Sequence, residues 1–213
     1  MAQKIAVIDY GMGNLRSVSK AVEHVAGDAV VRVTDDPSFI ATADRIVFPG
    51  QGAARDCMAA IGEHHLNQAV LRAAESKPFL GICMGLQVLM DRSEENGGTR
   101  LLGLFAGEVR RFDGLPSGDN GLPLKIPHMG WSRVRQTREH PLWAGIADES
   151  RFYFVHSYRV VPEDVSLICG TTDYGVRFTS AIARDNLFAT QFHPEKSADA
   201  GLQLLANFVR WDA

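Results

Sequence analysis

The chain has 213 residues, 46% hydrophobic and 22% charged, a balance that supports one ordinary core beneath a solvated surface. Its 22 Lys and Arg against 25 Asp and Glu leave a net charge of −3, so there is no broad field to attract nucleic acid or an anionic membrane, and Arg110-Arg111 is only an isolated basic pair. No apolar run nears the ~18 residues of a membrane span and no signal-peptide segment follows Met1; three widely spaced cysteines exclude a disulfide framework and a cysteine zinc site, so a reducing cytoplasm is expected.

From residue 5, short apolar runs alternate with longer amphipathic ones, which predicts βα units feeding a parallel sheet. Strands are expected at 5–9, 29–33, 45–48 and 78–82, with helices at 14–25, 53–61 and 66–75 between them. Gly11, Gly13, Gly50 and Gly52 punctuate strand ends, where such sheets bind ligands. After about Glu94 the runs shorten to 107–112, 133–136, 152–155, 159–161, 167–170 and 180–184, predicting a more antiparallel second half. Residues 113–123 read as a surface loop, because the strand pattern resumes directly afterwards. A last strand at 187–192 leads into a C-terminal helix at 198–211, and with no repeat or low-complexity segment residues 1–213 read as a single α/β domain.

The segment Lys77-Pro-Phe-Leu-Gly-Ile-Cys-Met-Gly-Leu-Gln87 carries the clearest chemistry. It runs as a buried strand into a helix with Cys83 at the junction, where a sharp turn would project the sulfur away from the sheet. Gly81 and Gly85 remove side chains that would clash in such a turn, and a helix N-terminus favours thiolate over thiol. Taken alone, Cys83 reads first as a small buried hydrophobe, and it is the surrounding pattern that reverses this; Cys57 and Cys169, which lack flanking elbow glycines, are read as buried hydrophobes.

A thiol nucleophile needs a base within hydrogen-bond reach and a third group to orient that base. His193 and Glu195 satisfy this, since residues two apart in an extended segment point the same way and Pro194 stiffens the backbone between them. The other histidines are less suited: His64 and His65 diverge on a helix, His24 lies on a helix surface, and no pair has the spacing of a zinc site, so no metal and no other cofactor is expected.

Gly81-Ile-Cys-Met-Gly-Leu-Gln87 with Gln191-Phe-His-Pro-Glu195 resembles the class I, or triad, glutamine amidotransferases. The segments Asp9-Tyr-Gly-Met-Gly-Asn-Leu-Arg-Ser17, Pro127-His-Met-Gly-Trp131, Tyr153-Phe-Val-His-Ser-Tyr158 and His193-Pro-Glu-Lys-Ser197 narrow the likeness to the glutaminase subunits of imidazole glycerol phosphate synthases. That resemblance implies a flavodoxin-like three-layer fold with a central, mostly parallel sheet and an antiparallel extension. It further implies an enzyme of histidine biosynthesis that hydrolyses L-glutamine and passes ammonia to a separate TIM-barrel cyclase in a heterodimer. The cyclase products would be imidazole glycerol phosphate and an aminoimidazole carboxamide ribotide. A barrel needs roughly 250 further residues, so it must lie on another chain.

By the same resemblance Cys83, His193 and Glu195 would be catalytic, and the backbone N–H groups of Gln51 and Met84 would form the oxyanion hole. Gly50, Gly52, Gln87, Ser157 and Tyr158 would hold glutamine, and Asn14, His128, Met129 and Trp131 would face the cyclase. Two positions depart from the family pattern: Gln51 stands where a small or apolar residue is frequent, and Ser132 where Asn is common. Competing readings are a dinucleotide-binding protein, for which Gly11 and Gly13 fit but Arg16 replaces the third glycine, a different amidotransferase subunit, and a cysteine stress-sensor or chaperone of similar fold, which would need neither His193 nor Glu195.

Overall fold

A computed structural model describes residues 2–116 and 124–213. The first half runs β1 (Lys4–Ile8), α1 (Leu15–Val25), β2 (Val30–Thr34), α2 (Pro37–Thr42), β3 (Arg45–Gly50), α3 (Ala54–Glu63), α4 (Asn67–Ser76), β4 (Phe79–Cys83) and the single turn α5 (Met84–Gln87). Short strands follow as β5 (Met90–Ser93), β6 (Thr99–Arg100), β7 (Phe105–Arg111), β8 (His128–Arg133) and β9 (Arg135–Gln136). The chain ends with β10 (Arg151–His156), β11 (Tyr158–Pro162), β12 (Ile168–Tyr174), β13 (Val176–Arg184), β14 (Leu187–Thr190) and α6 (Ala198–Arg210).

One sheet carries the order β2-β1-β3-β4-β14-β13-β11-β7-β5-β6, with β12 and β9 branching from β13. The first five strands in that order are parallel, and their neighbours β13, β11 and β7 pair antiparallel. This is the mostly parallel, three-layer α/β sheet with an antiparallel extension that the sequence predicts. β8 and β10 form a separate ribbon.

Alternation along β1 shows how the layers are made. Ile5 and Val7 point to the face covered by α1 and α6, alongside Val18, Val22, Leu204 and Phe208. Ala6 and Ile8 point to the opposite face, where Ile40, Cys57, Ile61 and Val70 of α2, α3 and α4 pack. Both faces are therefore apolar, as a buried parallel sheet demands.

Several boundaries differ from expectation. The segment expected as one strand at 133–136 is two, with β8 beginning at His128, because its exposed Met129 and Trp131 break the apolar pattern that marks a buried strand. α2 was unsignalled: it is six residues long, capped by Asp36, whose side chain accepts from the Ser38 N–H, with Pro37 at its start. β14 ends at Thr190, so Gln191, Phe192 and His193 lie beyond the ladder. Of the loop expected at 113–123, residues 117–123 lie outside the described residues. Among the described residues no helix is long and apolar enough to cross a membrane.

Candidate active site

β4 is buried at every position between β3 and β14 and ends on Cys83, whose backbone adopts φ 55° and ψ −104°. A positive φ at a residue with a Cβ costs about 1–3 kcal/mol and persists only where the surroundings enforce it. The enforcement is visible at the glycines. A Cβ on Gly85 would lie 1.8 Å from the Phe48 carbonyl oxygen of β3, and one on Gly81 would meet the Gly85 oxygen at 2.7 Å and Ala189 Cβ at 2.9 Å. These glycines serve close backbone approach, not unusual dihedrals. The helix after the elbow is one turn only, so the help that a helix N-terminus gives a thiolate is small here.

Beyond β14 the alternation continues: Phe192 enters the core, while Gln191 and His193 turn to the side of Cys83. His193 Nδ1–H donates to Glu195 Oε1 at 2.8 Å. The extended geometry expected for this pair is not what joins them. Residues Pro194–Lys196 form a 3₁₀ turn that carries the carboxylate back to the imidazole. Ser197 locks the turn, donating to the His193 carbonyl at 2.6 Å and accepting from the Tyr153 N–H at 2.9 Å. The Glu195 side chain is fully buried, and neither its Oε2 nor His193 Nε2 has a hydrogen-bond partner. Burial alone would lower the His193 pKa, but the Cys83 sulfur and then the Glu195 carboxylate outweigh it and raise it to about 10. Both groups thus favour the protonated imidazole.

A cavity of about 440 Å³ opens over Cys83 and His193. Of the residues predicted from sequence, Gln51, Gly52, Met84, Gln87, Ser157 and Tyr158 line it. Gly50 does not: it is buried in register with Cys83, where a Cβ would strike the Tyr10 hydroxyl at 2.0 Å, so it shapes the loop from behind. The Cys57 thiol donates to the Gln51 carbonyl at 3.4 Å and helps to seat that loop. Burial lifts the Cys57 pKa to about 11 and raises that of Cys169, which keeps both as inert thiols.

Glu95 and Lys196 also border the cavity and escaped the sequence reading. Glu95 stands in the Gly-rich stretch after β5 with no motif around it, and its side chain accepts from the Ala54 N–H at 2.7 Å, capping α3 from a distance. Gln191, also missed, donates to Cys83 Sγ at 3.7 Å.

The expected partner face divides. Met129 and Trp131 are 62% and 49% exposed, whereas His128, alternating with them on β8, is 2% exposed and stacks against Phe154 and Tyr174. His128 therefore supports that face from beneath and does not form it. Asn14 is half-buried at a crevice beside His193 and Glu195. Ser132, the second departure from the family pattern, hydrogen-bonds His128 Nε2 at 2.8 Å; His128 Nδ1 meets His156 Nε2 at 3.0 Å, and His156 Nδ1–H donates to the Tyr158 carbonyl at 2.8 Å.

This pair sets an acid limit on stability. Burial lowers His128 to about 4 and His156 to about 3, so both are neutral when folded, while the unfolded chain takes up protons near pH 6.5. Their contribution is complete above pH 6.5 and declines as pH falls below it, because only the unfolded state then gains protons. At pH 5 the loss should be about 2 kcal/mol for each histidine. Urea denaturation of the wild-type chain and a His128→Gln variant at pH 7 and pH 5 tests this, because His140, which burial also lowers to about 4, declines in the same window in both; an equal pH dependence of the two would contradict it.

Compared with known proteins, the chain matches the family described as glutamine amidotransferase class-I over residues 6–211, and it belongs to that family. The match accords with the elbow, the histidine–carboxylate pair and the cavity above them. The PurLQS structure from Thermotoga maritima shares the fold, with a TM-score of 0.73 at 17% identity and 99% of each chain covered. Relatives named imidazole glycerol phosphate synthase subunit HisH narrow the assignment. Those of Dechloromonas aromatica and Methylococcus capsulatus are 61% and 59% identical, over 98% of this chain and 97% and 96% of theirs. Within the class, the chain belongs to the HisH subunits of imidazole glycerol phosphate synthase. The dinucleotide-binding reading is thereby set aside, and Gly13 instead packs a would-be Cβ 3.4 Å from Gly50 Cα. Among the described residues no group of three or more His, Cys, Asp and Glu is arranged to hold a metal.

Proposed function

We propose that Cys83, His193 and Glu195 carry out the glutamine hydrolysis of this glutaminase subunit of histidine biosynthesis. The carrying observation is a buried His193–Glu195 pair beside a strained cysteine in one cavity. Sγ attacks the side-chain amide carbon, forming a C–S bond while the carbonyl electron pair moves to oxygen. The backbone N–H groups of Met84 and Gln51 receive that oxyanion. Collapse breaks the C–N bond, and His193 delivers its proton to the departing ammonia. Water, deprotonated by His193, then cleaves the thioester, giving glutamate and the free cysteine. Glu195 fixes the imidazole tautomer throughout.

Gly52, Gln87, Ser157 and Tyr158 hold the amino acid, with Gly50 seating the loop behind them. Glu95 is the one carboxylate among the cavity-lining residues and suits the α-ammonium group. The 213 residues act as a single glutaminase domain in the cytoplasm, and the ammonia acceptor lies on a second chain, a TIM-barrel cyclase that forms imidazole glycerol phosphate and the carboxamide ribotide. Met129 and Trp131 give that partner an exposed apolar-aromatic contact, and Asn14 borders a crevice beside His193 and Glu195. Cyclase binding with its ligand rearranges the loop 49–52 and completes the oxyanion hole.

The test is glutamate release by the isolated chain and by its complex with the cyclase. Turnover should rise at least about tenfold in the ligand-loaded complex, and equal rates would refute gating. Trp131→Asp should weaken assembly by about 2 kcal/mol or more, measured by titration calorimetry. Undiminished affinity would remove Trp131 from the interface.

A further inference from the structure

Gln191 lies two residues before His193, is fully buried, and is not explained by the triad. Its backbone N–H donates to the Ser180 carbonyl at 2.9 Å, which pins the main chain just beyond β14 and aims the side chain at the elbow. The orientation of its amide follows from one unambiguous acceptor. The Tyr158 carbonyl can only accept, so Gln87 presents its NH₂ there, at 3.1 Å. The second hydrogen of that NH₂ goes to Gln191 Oε1, at 2.9 Å. Gln191 must then turn its own NH₂ toward Cys83 Sγ, at 3.7 Å. A backbone carbonyl thus dictates, through two side-chain amides, that the sulfur meets a donor.

We propose that Gln191 is a further catalytic residue, an amide N–H donor that stabilises the Cys83 sulfur as an anion and holds it in line for attack. This rests on the reading of Cys83 as the nucleophile. The role differs from that of His193. An amide neither gains nor loses a proton in the working range, so it remains a donor to sulfur whether the imidazole is charged or neutral. Donation to the charged form of an acid favours that form, and in a water-poor site the effect is larger than at a surface. The hydrogen bond from Gln87 to Oε1 further polarises the donor. A filler role for Gln191 would require neither the buried amide pair nor its fixed polarity, since a Leu would occupy the same volume without the cost of burying an amide.

The experiment follows alkylation of Cys83 by iodoacetamide across pH, read by mass spectrometry on the Cys83 peptide, for the wild-type chain, Gln191→Leu and Gln191→Glu. In parallel, kcat and KM for glutamine are measured on each complex with the cyclase. Gln191→Leu should move the alkylation midpoint upward by about half to one pH unit and lower kcat about tenfold, with KM changed less than about twofold. Gln191→Glu, which places an oxygen at the sulfur, should move the midpoint further. Gln87→Leu, read by alkylation alone because Gln87 also holds glutamine, removes the polarising partner and leaves Gln191 in place; it should give an intermediate shift of the midpoint, and it decides the matter should the Gln191 variants fail to fold. Midpoints equal to wild type, or a change confined to KM, would overturn the proposal. If Cys83→Ala retains glutaminase activity, the nucleophile reading falls separately, since alkylation reports on the sulfur whether or not glutamine turns over.

Discussion

Cys83→Ala should lower glutamate release by at least about 1000-fold in the cyclase complex while leaving the chain folded. The size follows from chemistry: without a sulfur no C–S bond can form, and the oxyanion donors act only on an intermediate that is no longer reached. Folding should survive because alanine keeps the Cβ of the elbow and removes a single sulfur atom at the border of the cavity. The variant also reports on His193. Its pKa of about 10 owes most of its rise to the Cys83 sulfur, so removing the sulfur should move its titration, followed by NMR, to lower pH. A raised imidazole stabilises the folded chain fully below pH 6.5, and that contribution is lost as pH climbs toward 10. The alanine variant should accordingly lose less stability between pH 7 and pH 9 than wild type. An unchanged glutaminase rate would end the case for Cys83.

The second large effect is structural. Gly85→Ala should destabilise the chain by about 3 kcal/mol or more and lower Tm by roughly 10 °C, because the new Cβ would sit 1.8 Å from the Phe48 carbonyl oxygen. Neither side can yield cheaply: Phe48 belongs to β3, held between β1 and β4, and Gly85 follows the strained elbow. Gly27→Ala is the control. Its φ is +59° but nothing lies within 4 Å of the added Cβ, so only the backbone cost of about 1–2 kcal/mol applies. Thermal melts that rank the two variants in the opposite order would show that the elbow is not held by this contact.

The legible parts of the fold were those written in local periodicity. β1, α1, β3, α3, α4 and β4 lie within two or three residues of their expected spans because each buries one regular stripe or run. β5 and β8 were obscured for the converse reason. β5 is four residues with only its ends buried, and β8 exposes Met129 and Trp131, so neither carries a pattern that separates strand from loop.

The amino-acid order determined the parallel sheet, the elbow at Cys83, the His193–Glu195 pair and the loop that ends in Gly52, since each is specified within a few neighbouring residues. Only the tertiary structure decided that Glu195 reaches back through a 3₁₀ turn, that His128 lies beneath the exposed Met129 and Trp131, and that Glu95 and Gln191 adjoin the cavity and Cys83. Gln191 meets Cys83 across 108 residues of chain and Glu95 meets Ala54 across 41. Such contacts arise because strands distant in sequence become neighbours in the sheet, as β14 does beside β4. Local periodicity says which face a residue takes and is silent on what the chain later brings to face it.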